Sequence, residues 1–427
     1  MVLENIVNRS KKIKIYPNNE QKLILKKLIG SYRYFYNKTI DFINKIPKEK
    51  KYVKVEEGNG KYILFDKEYI YVGRLGNYDM KFGFIPQYII KDKKKIKINQ
   101  TSLQTLRPKI KKDLPEWSKN IPSHLIDYAI KEASNAFISN IEKFKNTKKY
   151  FDLKFKNKKK SVRETIQIEK CYFSKEKNTF FRTLLGDHIK SSESFKNIKK
   201  CDSSLTYHRK LYTWHLNINF EKKIKSKIDK KEICAIDPGI RTFATVYSPN
   251  EVSQLGIDAN KKIEKICKEI DIIQSKESKS NHEKKKILRK ALHRKIKKIK
   301  NLRDELHWKI INYLTKRYNK IYLPKFEVKN MVKNLNHKIS RQMNTLGFYI
   351  FQNRLESKCI EKGLKLITCT EEYTSKTCTN CGNVKNIKKL RVYNCSKCSM
   401  ILDRDINGAR NIYLKNDVNR CVSYFRM

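Results

Sequence analysis

Hydrophobic positions recur along this chain with two periods, and the change from one to the other divides it. Residues 12–16 alternate as a short strand, and Pro17-Asn18-Asn19-Glu20 then opens a helix with Leu25, Leu28, Tyr32, Phe35, Ile40 and Ile43 at helical spacing. Its run SYRYFYN, residues 31–37, interleaves Arg33 with aromatic rings, and core packing is preferred for it over base stacking. Around Gly58-Asn59-Gly60 the text turns strand-like, with KYILF and EYIYV reading as a hairpin. A second amphipathic helix from Ser123 carries Ile126, Ala129, Ile130, Ala133, Phe137 and Ile141 and should pack on the first.

The period then falls to two. Phe151, Leu153 and Phe155 alternate, as do Tyr212, Trp214, Leu216, Ile218 and Phe220, which predicts half-buried strands of a small antiparallel sheet or barrel. The basic run at 156–160 lies between strands, where it either meets phosphates or is simply solvated. Residues 221–230 look like a linker. From Glu232 onward the pattern is α/β: strands at 233–236 and 242–248, a third near 252–257, and a long helical hairpin whose second arm spans 281–318. A strand at 320–323, Pro324, a helix over 340–361, a strand at 364–370 and a last helix from Asp405 to Leu414 complete it.

Charge changes this picture. Lys and Arg number 97 against 43 Asp and Glu, a formal charge of +54 spread along the whole chain. Lysine drift in an AT-rich genome explains many lysines but not their excess over acids, which is best explained by a polyanionic partner. On the long hairpin the cations fit the wall of a nucleic-acid channel. Eleven cysteines, an odd number, argue for a reducing compartment. No apolar leader and no run of 18 apolar residues is present, so a soluble intracellular protein without membrane contact is expected.

The candidate chemistry gathers in residues 365–412. Cys378 and Cys381 form one CxxC pair and Cys395 and Cys398 another, with 13 residues between them. Four thiolates so spaced can close a tetrahedron around one structural Zn²⁺, with no open position for catalysis, and Gly382 permits the left-handed backbone of such a knuckle. Asp405 follows at the start of a helix, where taken alone it reads as a cap. A second acidic turn, Asp237-Pro238-Gly239, ends an apolar strand far upstream, the place where a sheet presents chemistry.

Strand, strand, strand, inserted helices, strand, helix, strand, inserted zinc ribbon, helix is the order of an RNase H-like (RuvC) nuclease core. Together with KKIKIYPNNEQKLIL and YRYFYN, IDPGIRTFA, DELH at 304–307, TSKTCTNCG and DRDINGARNI, it makes the chain resemble the TnpB family of transposon-encoded RNA-guided nucleases over nearly its whole length. It resembles in particular the shorter, TnpB-like type of Fanzor proteins. The resemblance implies a multidomain α/β fold with β-barrel and helical parts. A wedge-like β-barrel would occupy 1–18 and 148–225, and a helical recognition domain with a hairpin-like insertion 19–147. The nuclease core would take 226–371 and 404–427, with the zinc ribbon at 372–403.

The resemblance also implies the site. The family's first Asp matches Asp237 and its last matches Asp405. Its Glu position at the end of the fourth strand is held here by Pro324, and Fanzor proteins and some TnpB proteins place a substitute just before the TSKTC run, which matches Glu371. Glu372 and Glu327 are the alternatives. Glu371 would end the strand beside the fourth, about 10 Å from the first. Two Mg²⁺ ions held by Asp237, Glu371 and Asp405 would then serve hydrolysis of double-stranded target DNA, directed by a bound noncoding guide RNA and a short target-adjacent motif. A catalytically silent RNA-guided DNA-binding protein and a transposase are the rival readings. A monomer in the nucleus of a eukaryotic or virus-infected host is expected, or else in a bacterial cytoplasm; the basic run at 91–97 suits nuclear entry or RNA equally.

Overall fold

The computed structural model describes residues 6–45, the strands between 52 and 97, residues 110, 115–118 and 121–147, then 153–196 except 160, 201–224, 232–325, 336–386 and 390–417. The chain forms two compact units, one of Arg9–Glu221 and one of Lys222–Met427 together with Met1–Asn8.

In the first unit β1 (Ile6–Ile15) leads into α1 (Asn19–Lys45). The helix starts where Asn18 and Gln21 satisfy each other's backbone N–H groups, at 2.8 and 3.0 Å. Five strands follow as an antiparallel meander: β2 (Tyr52–Lys54), β3 (Lys61–Phe65), β4 (Ile70–Leu75), β5 (Phe84–Lys91) and β6 (Lys94–Lys97). The expected hairpin is its β3–β4 pair, with Phe65 opposite Ile70. Helix α2 (Ser123–Thr147) packs on α1, and the Tyr32 hydroxyl donates to the Tyr128 carbonyl at 3.1 Å. All six periodic positions of α1 are buried, and Arg33 pairs with Glu164. Core packing therefore explains the aromatic run.

β7 (Arg163–Ile168), the one-turn α3 (Arg182–Leu185), β8 (Ser203–His208) and β9 (Thr213–Lys223) complete the unit. Along β9, Trp214, Leu216 and Ile218 are buried as the alternation requires. Two expectations fail here. The sheet runs β1-β9-β8-β7 and is open, so among the described residues there is no barrel. Its apolar face (Ile13, Ile166, Leu205, Leu216) shares one core with the apolar stripes of α1 and α2, and helices covering that face remove the need for closure. Residues 153–157 form no strand, because the Asn37 side chain takes both backbone groups of Lys156, at 2.8 and 3.0 Å. Lys156, first of the basic run, bridges Glu132 at 2.6 Å and lies over the Tyr36 ring.

The second unit is built on a five-stranded sheet. It comprises β10 (Ile233–Pro238), β11 (Thr242–Tyr247), β12 (Val252–Ile257), β13 (Lys320–Pro324) and β14 (Lys365–Cys369), in the order β12-β11-β10-β13-β14. The first three pair antiparallel; β10, β13 and β14 run parallel. Parallel strands need crossovers, and helices supply them. α4 (Ala259–Ser278) and α5 (His282–Arg317) form the expected hairpin between β12 and β13. Its second arm is capped by the Asn281 side chain accepting from the Lys284 N–H at 3.1 Å.

The single helix expected over 340–361 is two, α6 (His337–Leu346) and α7 (Phe348–Lys362), broken at Gly347 with φ 66°. Buried His307 Nε2 donates to the Leu346 carbonyl at 2.8 Å, while Arg354 donates to His307 Nδ1 at 3.1 Å and to Asp304 at 2.9 Å. With the carbonyl so engaged, the backbone turns and restarts. Ile321, Leu323, Ile310, Leu314 and Phe351 bury one face of the sheet; Ala235 and Tyr322 on the other meet Ile412 and Tyr413 of the last helix, α8 (Arg404–Asn416).

Candidate metal centres

The four cysteines come together. Their sulfurs all lie within 4.8 Å of one another, with Cys378 Sγ to Cys398 Sγ at 3.6 Å and Cys381 Sγ to Cys395 Sγ at 3.5 Å. Four ligands about 2.3 Å from a central Zn²⁺ would stand about 3.8 Å apart, so the donor set fits a closed structural zinc site. Gly382 adopts φ 72°, and its N–H donates to the Cys378 carbonyl at 3.0 Å, closing the first knuckle. The second pair lies between β15 (Val392–Asn394) and β16 (Ile401–Asp403), where buried Tyr393 packs against the sulfurs and its hydroxyl donates to the carbonyls of Lys376 and Asn383.

The three carboxylates come from three separate segments. Asp237 lies on β10, two residues beyond Ala235, which is level with Tyr322 of β13. Pro324 is two beyond Tyr322 and level with Cys369, so it occupies the row between Asp237 and the end of β14 without offering a carboxylate. Glu371 follows β14 by two residues. Asp405 arrives on α8, where Gly408 lies so close that a Cβ there would stand 2.5 Å from Asp237 Oδ2. All three acids are half-buried.

Electrostatics records their proximity. Burial, then the charges of Asp405 and Glu371, push the Asp237 carboxyl up to about 8, with Arg404 pulling it down. Glu371 is raised by burial. Asp405 is raised by burial and by Asp403, against the pull of Arg404, Arg391 and Arg241. Hard oxygen donors gathered in a partly buried place suit Mg²⁺. They are not drawn together as tightly as the sulfurs: among the described residues the cysteines are the one group placed to enclose an ion. Glu372 is exposed, and Glu327 lies outside the described residues.

Two roles were misread or missed in the sequence. Asp403, not Asp405, caps α8: its Oδ1 accepts from the N–H groups of Asp405 at 2.9 Å and Ile406 at 3.4 Å. Asp405 is left in the first turn with its carboxylate uncommitted to the cap. Asn407 and Asn411, both buried on α8, hold the segment that joins Glu371 to the first knuckle. Asn411 Nδ2 donates to the carbonyls of Thr374 at 2.8 Å and Thr377 at 2.7 Å; Asn407 Nδ2 donates to Thr377 at 2.8 Å, and its Oδ1 accepts from the Thr379 N–H at 3.1 Å. The only signal was their helical spacing of four from one another, which also fits an exposed polar face.

Three family models match parts of the chain: a helix-turn-helix domain over residues 1–51, a probable transposase (IS605 OrfB) over 215–335, and the Cas12f1-like TNB domain over 348–412. The described part of the first match is one strand and one uninterrupted helix. TnpB-like protein L79 of Acanthamoeba polyphaga mimivirus is 30% identical over 94% of this chain and 72% of its own length. Putative transposase A625R of Paramecium bursaria Chlorella virus 1 is 29% identical over 97% and 88%. A solved Cas12f1-sgRNA-target DNA complex aligns over 95% of this chain and 98% of its own at 14% identity, with a TM-score of 0.34, a level that bears on neither fold nor partners. Among the described residues no helix is long and apolar enough to cross a membrane. The chain belongs to the TnpB (IS605 OrfB) family of transposon-associated proteins and carries a Cas12f1-like TNB domain that holds its four-cysteine cluster.

Proposed function

We propose that this protein is an RNA-guided DNA endonuclease whose five-stranded sheet is an RNase H-like (RuvC) core, with Asp237, Glu371 and Asp405 as its catalytic carboxylates. One observation carries the reading: three half-buried acids from distant segments gather at the end of a sheet, close enough that Gly408 of the helix carrying Asp405 lies against Asp237 and that the charges of Asp405 and Glu371 raise Asp237, in a chain of charge +54. Like charges held together in a partly desolvated place are costly unless a cation joins them.

The three carboxylates would hold Mg²⁺, which when bound assists attack by water on the phosphodiester and neutralises charge on the leaving 3′ oxygen. The chain's own part is to fix the oxygens. The β10 backbone sets Asp237, the cap at Asp403 leaves Asp405 uncommitted, and the turn held by Asn407 and Asn411 sets Glu371. Hydrolysis adds water across the P–O bond and yields a phosphate and a hydroxyl. Target choice would fall to pairing with a bound noncoding RNA, whose backbone would neutralise the basic surface, and to a short adjacent motif read by the N-terminal half. The domain boundaries given above, with the open sheet β1-β9-β8-β7 in place of the barrel, a monomeric state and a nuclear site of action in a virus-infected host belong to the same proposal; relatives in mimivirus and a chlorella virus support the last.

The test is cleavage of a plasmid library by the purified chain with its copurifying RNA in Mg²⁺, beside Asp237→Ala and Glu371→Ala. Cutting that both substitutions abolish is expected. Binding without cutting by the wild type would favour the silent-binder reading, and integration without any RNA would favour the transposase.

A further inference from the structure

Tyr373 lies two residues beyond Glu371 with φ 63°, a left-handed backbone where a bulky side chain is strained and glycine is not. The turn fixes it there from several sides. Its carbonyl accepts from the Lys376 N–H at 2.9 Å, the Thr377 N–H at 3.0 Å and Thr377 Oγ1 at 2.8 Å. Thr374 Oγ1 donates back to the Glu371 carbonyl at 2.8 Å, and Asn411 holds the Thr374 carbonyl. All of these bonds involve backbone groups or neighbouring side chains and none needs a tyrosine. The residue is 68% exposed, so within its unit it does little packing. The exposed ammonium of Lys376 lies 5.9 Å from its centre.

Strain kept at an exposed aromatic, on a turn that begins at a candidate catalytic acid, points to use of the ring by something outside the fold. An open aromatic face beside a cation is what an unpaired nucleotide requires: the base stacks and the cation meets its phosphate. We infer that Tyr373 is a substrate-positioning residue whose ring stacks on an unpaired base of the strand presented to the carboxylate site, with Lys376 at the adjoining phosphate. This rests on the proposed function only in that the neighbouring site handles nucleic acid.

Single-stranded DNA oligonucleotides carrying 2-aminopurine at successive positions test it, with the full chain in Ca²⁺ so that binding is read apart from cutting. The wild type and Tyr373→Trp should quench the probe at one position. Tyr373→Gly should lose that quench and bind about 5- to 100-fold more weakly, while its thermal midpoint stays level or rises because strain is released. Lys376→Gln should weaken binding and flatten its salt dependence without removing the quench. Quench and affinity unchanged in Tyr373→Gly would overturn the inference, as would no quench in the wild type or a midpoint that falls together with affinity. A wild type that quenches through Tyr373 but never cuts in Mg²⁺ would sink the nuclease reading and leave this one standing.

Discussion

Two sites of opposite construction share the stretch from Glu371 to Asn411. The four sulfurs all come from residues 378–398, on two knuckles that preset their geometry, and they lie within 4.8 Å of one another. The carboxylates come from positions 237, 371 and 405, near enough for the charges of Glu371 and Asp405 to act on Asp237 but less tightly gathered than the sulfurs. A soft, closed donor set built from local turns suits a metal that holds a fold, while a looser set of hard oxygens at a sheet's end leaves room for a substrate. The proposed carboxylate site would depend on the sulfur site, because the segment carrying Glu371 runs directly into Cys378 and Asn407 and Asn411 of α8 hold that segment.

The largest test of that dependence is to remove the zinc. Cys395→Ser, or a strong chelator, should take the metal content from one zinc to none and unfold the ribbon, since binding energy of about 10–16 kcal/mol is folding energy in such sites. Cleavage should vanish with it. A chelated protein that resists protease in this region and still cuts would show the two sites to be independent.

Removing a carboxylate should do the reverse. Asp237→Asn should lower cleavage by about 10²-fold or more, with zinc content unchanged. Its thermal midpoint without divalent metal should hold or rise, because a repelled, half-buried charge is gone. Among the glutamates, Glu371→Gln should act like Asp237→Asn while Glu372→Gln keeps near wild-type rates. Equal losses from both would place the third oxygen ligand differently.

Acid separates scaffold from site. Burial, with the charges of Arg354 and Arg303 against the bond to Leu346, lowers the His307 imidazole from 6.5 to about 4. The unfolded chain binds the proton first, so stability is full above pH about 6.5 and falls as pH drops towards 4, by about 3 kcal/mol at most. Urea midpoints measured across that range should lose this slope in His307→Gln, with the zinc still bound. The smallest expected effect is Asn411→Ala, which strips donors from two carbonyls and should cost about 1–3 kcal/mol. It should also slow cleavage, through loss of the turn that sets Glu371. Full activity with lowered stability would mean that the clamp serves the ribbon alone.

Legibility followed the range of the forces. The arm 281–318 was readable to within a residue because its apolar spacing, the Asn281 cap and its end at Tyr318 all act over one turn. The helix over 340–361 was misread because its break at Gly347 depends on His307, 39 residues away in sequence, taking the Leu346 carbonyl. Residues 151–155 alternate like a strand, yet Asn37 of α1 took the backbone of Lys156. The alternation allowed an open sheet or a barrel and the resemblance favoured the barrel, yet two helices cover the face that closure would have protected.

The sequence by itself determined the knuckles, the strand that ends in Asp237, the helix that carries Asp405 and the polyanion-seeking charge. Each is written in spacing or composition that no distant residue can alter. Only the tertiary structure decided that Pro324 stands in the row between Asp237 and the end of β14, and that the charge of Glu371 acts on Asp237 from two strands away. Those outcomes depend on the parallel register of β10, β13 and β14, whose members lie far apart in the chain, and register is fixed by packing both faces of the sheet at once.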